Sequence, residues 1–397
     1  MSLPRPPNQP PPPAFIPDHL STEVLSFLPV KSLMRMRCLS KFFNSLFTDP
    51  LFIKLHLHRS ARKPHLALVT FNTETVVPFP VPQLLSNPPI TLTDDTHYLA
   101  VDRVFIREEF IIRQVVGSCN GLICLLSSST ACRYLWLRFW NPSTRAMSRE
   151  LGAMHFFRRR FYRSRPYKFS FGYDNSTNTY KVVSLIFSSR SINTTEAQIL
   201  SLDDDVWRDI PNFPGYPLQL LNHHHKVNGG VYLSGTINWL SASYYRIVSV
   251  DQYMIISLDL GTEIYTQMQL PSGFDEMPRV SPTIGVLMDC LCFSYDFQQT
   301  HFVIWRMMEF GVEESWTQFL RVGYENFQID YNLGLRKFYL VPLYLSENGD
   351  TLLLASCLED RAIFYNIREN SVERTRITNR MCWYSTKDYV ESLVSPS

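Results

Sequence analysis

FIPDHLSTEVLSFLPVKSLMRMRCLSKFFNSLFTDPLFIKLHLHRS, residues 15–60, is the only strongly helical stretch of the chain. Leu20, Val24 and Leu28 recur at the spacing of one helix face, which predicts a first helix. Pro29 ends that helix and can begin the next one. The stretch therefore predicts a set of short helices, and everything that follows it has the patterning of β-structure.

A third helix is predicted after Ser40, which is a suitable N-cap, and is expected to end at Asp49-Pro50. Three helices within about 40 residues are close to the size at which a chain cannot bury enough surface to fold alone. Their apolar content exceeds what one small core can hold, so we expect the rest of the chain or another protein to cover the surplus. By pattern alone, a helical cap on a single domain and a partner-docking module both remain open.

The overall composition is that of a globular protein with a substantial core. The chain has 397 residues, of which 45% are hydrophobic and 19% charged, and its net charge of +2 is too small to indicate a nucleic-acid partner. Residues 1–14 form a proline-rich lead-in with no apolar core of a secretory signal, and no run of about 18 apolar residues predicts a membrane helix. The eight cysteines contain no CxxC pair. We therefore expect reduced thiols and a cytoplasmic or nuclear protein without membrane association.

The long β-region contains a degenerate repeat. Residues 61–109 are interpreted as a connecting segment with short strands, and from residue 110 onward strands recur with turns between them. Four segments share an apolar strand, a polar turn and a second strand, and 301–322 fits more loosely. The turns are built on Asn141, Asp203, Asp259 and Asn366.

Two hairpins in about 45–60 residues are what a propeller blade of four antiparallel strands requires. The predicted fold class is therefore α+β overall. Three N-terminal helices are expected to precede an all-β domain over residues 110–390, a β-propeller-like array of about five or six blades. A β-sandwich or an open stack of hairpins remains the alternative.

No constellation in the sequence predicts catalysis, a metal or a cofactor. His223-His224-His225 is the most tempting metal candidate, but consecutive residues on an extended segment alternate in direction, so at most two could reach one ion. Asp203-Asp204-Asp205 lies at a predicted turn, where aspartate satisfies local backbone groups. We expect a non-catalytic protein with neither metal nor cofactor.

One basic segment, 155–168, interleaves arginines with aromatic residues and contains no acidic residue. It is open to three interpretations, namely a solvated loop, a contact for an acidic or phosphorylated protein, or a site for single-stranded nucleic acid. The rest of the chain shows no basic surface, so nucleic acid is the least favoured. The cationic residues are Arg158, Arg159, Arg160, Arg163, Arg165 and Lys168.

Several short motifs within residues 15–60 occur in a characteristic order and spacing. They are IPD (16–18), LPVKSL (28–33), RC (37–38), NSL (44–46) and DP (49–50). Together they closely resemble the F-box of plant F-box proteins. The resemblance implies binding to the Skp-type adaptor of cullin–RING (SCF-type) ubiquitin ligases. Carried over by position, the implied adaptor-facing residues are Ile16, Pro17, Leu20, Leu28, Pro29, Val30, Leu33 and Phe43.

Two positions depart from the family pattern. Ile16-Pro17 replaces the usual Leu-Pro, a swap of similar volume that should cost little. Phe43 stands where the family usually has Trp. Both rings bury large areas, so most of the apolar contact should survive at a cost of about 1 kcal/mol.

Pieces of the β-region resemble the F-box-associated domain of plant proteins, including S-locus F-box-type and F-box/kelch-repeat proteins. They are GSCNGLICL (117–125), WNPSTR (140–145), FGYDNSTNTYKVV (171–183), ISLDL (256–260) and MQLP (268–271). The resemblance implies a substrate receptor that binds an unknown target protein through its β-domain, with the arginine-rich segment as part of that site. The rivals are a propeller-like ligand- or carbohydrate-binding protein and a nucleic-acid binder that uses the Arg158–Lys168 loop.

Overall fold

The structure is a computed structural model, and it describes residues 18–60, 64–70, 75–84, 90, 92, 111–129, 134–155, 167–188, 194–218, 229–244, 247–328, 340–356 and 361–396.

Residues 18–60 form a helical head of four helices, one more than the sequence predicted. Phe43 N donates to Ser40 Oγ at 3.2 Å, which confirms Ser40 as the cap of the third helix. Asp49 ends that helix, but its carboxylate also accepts hydrogen bonds from the next two available amides, so a further helix begins at Pro50. The helices are α1 (Asp18–Leu25), α2 (Val30–Met36), α3 (Lys41–Thr48) and α4 (Pro50–Ser60).

The rest of the described chain is almost entirely β-structure. One short helix, α5 (Val81–Leu84), follows β2, and four single 3-10 turns connect later strands. The strands in chain order are β1 (His65–Val69), β2 (Val76–Pro80), β3 (Ile111–Cys119), β4 (Leu122–Ser129), β5 (Tyr134–Asn141), β6 (Ala146–Met147), β7 (Leu151–His155), β8 (Tyr167–Asp174), β9 (Thr179–Ser188), β10 (Thr194–Ser201), β11 (Trp207–Phe213), β12 (Tyr216–Pro217), β13 (Val231–Leu233), β14 (Thr236–Ala242), β15 (Tyr253–Asp259), β16 (Tyr265–Met268), β17 (Thr283–Leu287), β18 (Cys290–Phe297), β19 (His301–Met307), β20 (Trp316–Gly323), β21 (Leu340–Leu345), β22 (Thr351–Ser356), β23 (Ile363–Asn366), β24 (Ser371–Arg374) and β25 (Lys387–Tyr389).

These strands form six antiparallel sheets. Five are built from consecutive strands, β3–β7, β8–β11, β12–β16, β17–β20 and β21–β24, while the sixth has the order β2-β1-β25. The innermost strands contact one another in the cyclic order β25, β3, β8, β13, β17, β21 and back to β25. The architecture is therefore a closed six-bladed β-propeller, and a ring of this kind leaves only short strand edges unpaired.

The sixth sheet joins the two ends of the propeller. Its strand β25 pairs with β1, with Lys387 opposite Ala67 and Tyr389 opposite His65. The segment 61–109, expected to be a connector, thus supplies β1 and β2 to the ring, which begins before residue 110. Sequence periodicity gave no sign of this pairing, because it joins strands more than 300 residues apart.

The core is distributed over the interfaces between neighbouring sheets. Strand β1 shows the principle: Leu66 and Leu68 pack against the β21–β24 sheet, while Ala67 and Val69 pack against the β3–β7 sheet. Successive side chains of a strand point to opposite faces, so a blade between two others buries both of its faces. Six such apolar clusters, one at each interface, hold the ring together.

The repeat found in the sequence corresponds to the outer hairpin of a blade. Asn141, Asp203, Asp259 and Asn366 lie at the junctions β5–β6, β10–β11, β15–β16 and β23–β24, and the looser segment 301–322 spans β19 and β20. Asp259 illustrates the chemistry, because its carboxylate accepts hydrogen bonds from Gly261 N and Thr262 N at 3.0 and 2.7 Å. The sixth blade lacks the repeat since its strands come from both ends of the domain.

Candidate partner-binding surface of the helical head

The helical head has one small core, made largely of aromatic rings. Phe43 stacks on Phe47 with centroids 5.7 Å apart, and Phe47 lies 5.2 Å from Phe52. Val30 and Leu33 of α2 pack into the same cluster. The core therefore takes up only part of the apolar side chains of the head.

Arg59 connects the last helix to the first. Its guanidinium forms an ion pair with Glu23, donates to Ser26 Oγ, and lies 4.0 Å above the ring of Phe27. His56 adds a second connection through a 3.0 Å hydrogen bond between its Nε2 and Leu28 O. These contacts hold the end of α1 and the turn after it in place, which is the region that precedes the LPVKSL motif.

The exposed surface of the helical head is strongly apolar. Six large apolar side chains are between 47 and 77% exposed, which is unusual for so small a unit. They come from three of the four helices and from the turns between them. They are Leu20, Val24, Phe27, Leu39, Phe42 and Leu51.

Four of the predicted adaptor-facing residues lie at or near this surface. Leu20 is 47% exposed and Pro29 is also exposed. Leu28 and Phe43 are half-buried, with part of each side chain in the core and part accessible. These four could contribute directly to a contact, and that role stays a prediction.

Two other predicted residues point inward. Val30 and Leu33 are 0% exposed and contact Phe47 and Phe52 in the core, so in this conformation they support the surface and do not form it. The resemblance could not separate these roles, because the motif fixes residue type but not the direction of the side chain. Ile16 and Pro17 lie outside the described residues.

The family resemblance did not assign five of the exposed residues to the binding surface. Val24, Phe27, Leu39, Phe42 and Leu51 complete it. Their positions next to residues of known burial could have identified them. Phe42 precedes the half-buried Phe43, and Leu39 lies in a turn, where a core residue is not expected. An apolar residue that helix geometry directs away from the core is a candidate contact residue.

The propeller covers part of the helical head. Leu393, which follows β25, packs into the cluster of Val30, Leu33 and Phe47. On α4, Lys54 Nζ donates to Asn178 Oδ1 in the β8–β9 turn at 3.0 Å. These contacts leave the six exposed apolar side chains accessible to a partner.

Comparison with known proteins identifies both parts of the chain. Residues 15–55 match the family model of the F-box domain, and residues 71–396 match that of the F-box associated beta propeller domain. The chain belongs to this F-box family. The Arabidopsis thaliana F-box/kelch-repeat protein At3g23880 is 27% identical, with 97% of both chains covered, and the A. thaliana F-box protein CPR1 is 26% identical over 96% of this chain and 89% of its own. The helical head is thus the F-box, and the comparison extends through the whole propeller.

The F-box surface is also positively charged. Between residues 18 and 60 there are six lysine or arginine side chains and three acidic ones. Lys31 and Arg35 on α2 are exposed, whereas Glu23 is paired with Arg59. A partner with an apolar groove and acidic surroundings would fit this face best.

The residues predicted to bind a target cannot be placed. Arg158, Arg159, Arg160, Arg163 and Arg165 lie outside the described residues, as does the His223–His225 run. The last residue of the basic segment is described: Lys168 lies on the inner strand β8, where burial lowers the pKa of its ammonium group.

The described part of the propeller offers no metal-binding cluster of histidine, cysteine or acidic residues. Asp205 accepts a hydrogen bond from Gly152 N at 2.7 Å and pairs with Arg149, so it joins two blades. Burial raises the pKa of the Cys119 and Cys124 thiols well above their usual value, which keeps them protonated and unreactive. Among the described helices none is long and apolar enough to cross a membrane.

Proposed function

We propose that this protein is the substrate-recognition subunit of an SCF-type ubiquitin ligase. The F-box binds the Skp-type adaptor and, through it, the cullin–RING ligase, while the propeller captures a target protein. The chain itself performs no bond chemistry. It raises the effective concentration of the target near the ubiquitin-charged enzyme and sets its orientation. The cytoplasm and nucleus are the compartments we propose for it.

One observation carries the proposal. A four-helix unit leaves six large apolar side chains exposed, although it also packs against a closed propeller. An unpartnered apolar surface of this kind marks a protein interface, and its aromatic and leucine side chains are suited to fill pockets in a partner. Family membership identifies the Skp-type adaptor as the partner to test first.

The test is a binding titration of the full chain with a purified plant Skp-type adaptor. Replacing two exposed residues, Leu20→Glu together with Leu39→Glu, puts charges into the apolar surface without entering the core. We expect Kd to rise about tenfold or more, since buried apolar anchors at an interface each contribute on that scale. Calorimetry on the folded variant measures the change.

A matched control comes from the propeller. Val206 and Ile264 are each 62% exposed and lie far along the chain from the F-box. Val206→Glu with Ile264→Glu makes the same chemical change outside the proposed surface and should leave adaptor affinity unchanged. If the native chain, shown to be folded by circular dichroism, does not retain the adaptor, the proposal is wrong.

The target-binding site stays a prediction. The arginine-rich segment is the preferred candidate for a contact with an acidic or phosphorylated protein, because arginine forms paired hydrogen bonds with carboxylates and phosphates.

A further inference from the structure

The segment after β25 runs between the propeller and the F-box. This tail segment, residues 390–396, begins where β25 has just closed the ring against β1. Strand β1 itself starts five residues after the end of α4 at Ser60. The closing strand and the F-box are therefore neighbours in space, although Leu33 and Leu393 are 360 positions apart in the sequence.

The tail segment is fixed to the β3–β7 blade by hydrogen bonds. Asn141 is 0% exposed, and its Nδ2 donates to Ser392 O at 2.9 Å and to Val394 O at 2.7 Å. Gly121, in the β3–β4 turn, leaves room for this path, because a Cβ there would lie 2.8 Å from Val390 O. The side chain of Val394 packs against the same blade.

Leu393 points the other way, into the F-box. It is 8% exposed and belongs to the cluster of Val30, Leu33, Phe47 and Phe52. It is the only residue of that cluster that lies outside the helical head among the described residues. The F-box core is thus completed by a side chain that the propeller supplies.

We propose that Leu393 couples the folding of the F-box to closure of the propeller ring. A helical unit of this size has little stability of its own, so the loss of one buried leucine removes a large share of it. Leu393 reaches the core only when β25 is paired and the tail segment is held by Asn141. A chain whose ring has not closed would therefore lack an F-box competent to bind a partner.

The same contacts would also fix the orientation of the F-box relative to the propeller. Leu393 anchors the inner side of α2 and α3, and Lys54 holds α4 to the β8–β9 turn. The F-box is then a rigid extension of the propeller. For the proposed receptor role, this would hold a captured target at a set position relative to the adaptor.

Two adjacent residues allow a matched experiment on the full chain. Leu393→Ala removes the contact with the F-box, whereas Val394→Ala removes a similar apolar contact with the propeller. Hydrogen exchange measured by mass spectrometry reports the opening of each region separately. We expect amide exchange in α2 and α3 to rise about tenfold or more in Leu393→Ala and to stay at the native rate in Val394→Ala. Leu393→Met, which nearly conserves volume, should restore protection.

Adaptor affinity provides a second readout. This readout rests on the proposed function, whereas the hydrogen-exchange readout does not. Apparent affinity falls with the fraction of molecules in the competent state, so Leu393→Ala should bind the adaptor more weakly than Val394→Ala or Leu393→Met. Unchanged exchange in α2 and α3 of Leu393→Ala would overturn the coupling. If exchange rises but the native chain binds no adaptor, the coupling stands and the receptor proposal fails.

Discussion

The F-box and the propeller differ in how many of their large apolar side chains are exposed. Among the residues that the structure describes, thirteen large apolar side chains are exposed, and six of them lie in the F-box although the propeller is much the larger part. Every propeller blade lies between two others and buries both faces of its strands. Most apolar side chains of the propeller are therefore buried between blades. The F-box has a single core and cannot bury the rest. The difference identifies the F-box as the candidate partner-binding region of the molecule.

The two regions also differ in the burial of their ion pairs. Inside the propeller, Lys181 and Asp174 are 4 and 1% exposed and pair at 2.8 Å. Lys181 also donates to Leu260 O at 2.6 Å, which links the β8–β11 blade to the next one. In the F-box the ion pair of Arg59 with Glu23 is only partly buried, since the Glu23 side chain is 54% exposed. The propeller thus adds buried ionic contacts to its apolar interfaces, whereas the F-box core is made largely of aromatic contacts.

The largest effect should come from breaking the buried pair. Asp174→Asn removes the nearer of the two carboxylates that pair with the buried Lys181 ammonium. The other one, Glu263, is 3.5 Å away and is also paired with Arg208, so we expect the free energy of unfolding to fall by about 3–5 kcal/mol. Urea denaturation measures this loss. Adding Lys181→Met should recover much of it, because no uncompensated charge then remains buried. Equal losses in the single and double variants would show that the pair is not the cause.

The pH dependence of the native protein supports the same test. Burial by itself would raise the pKa of Asp174, but hydrogen bonds from Lys181, Ser176 and Thr177 outweigh it and hold the pKa well below its usual range. A carboxylate with a lowered folded-state pKa stabilises the protein above its unfolded-state pKa of about 4 and loses this contribution as the pH falls further. The difference between native protein and Asp174→Asn should therefore shrink below about pH 4.

The next effect separates packing from binding within one helix. Phe47 is 2% exposed and Phe42 is 49% exposed, and both lie on α3. Phe47→Ala should destabilise the F-box by about 3–5 kcal/mol, measured by hydrogen exchange in α2–α4. Phe42→Ala should change stability by less than about 0.5 kcal/mol but weaken adaptor binding by about 1–2 kcal/mol. A Phe42→Ala variant that binds normally would remove this residue from the contact surface.

Local features of the fold could be predicted from the sequence. Helical spacing and the Ser40 cap identified α1–α3, and the Asn and Asp turns identified the outer hairpins of the blades. Both depend on residues close together in the chain. The α4 helix was missed because Pro50 was interpreted only as the end of a helix, although proline after a capping aspartate also begins one.

Contacts between distant segments could not be predicted in this way. The pairing of β1 with β25 and the insertion of Leu393 into the F-box depend on ring closure, which leaves no periodic signal. The surface was predicted in part: resemblance named Leu20 and Phe43, but it could not show that Val30 and Leu33 point inward. The direction of a side chain is set by the three-dimensional packing of the helices, so it cannot be read from the spacing of a motif.

The smallest effect concerns Phe43, where the family usually has Trp. Its ring is half-buried, stacked on Phe47 and edge-on to Phe42 at 5.5 Å, so it belongs partly to the core and partly to the surface. Phe43→Trp adds apolar area and an indole N–H at the accessible edge, and we expect adaptor affinity to rise by about fivefold or less, equivalent to about 1 kcal/mol or less. Stability should change little if the added ring edge stays outside the core. Calorimetric titration gives the affinity and urea denaturation gives the stability. A tenfold loss of affinity would mean that Phe43 acts through the packing of α3. Phe43 would then belong to the core of the F-box and not to its contact surface.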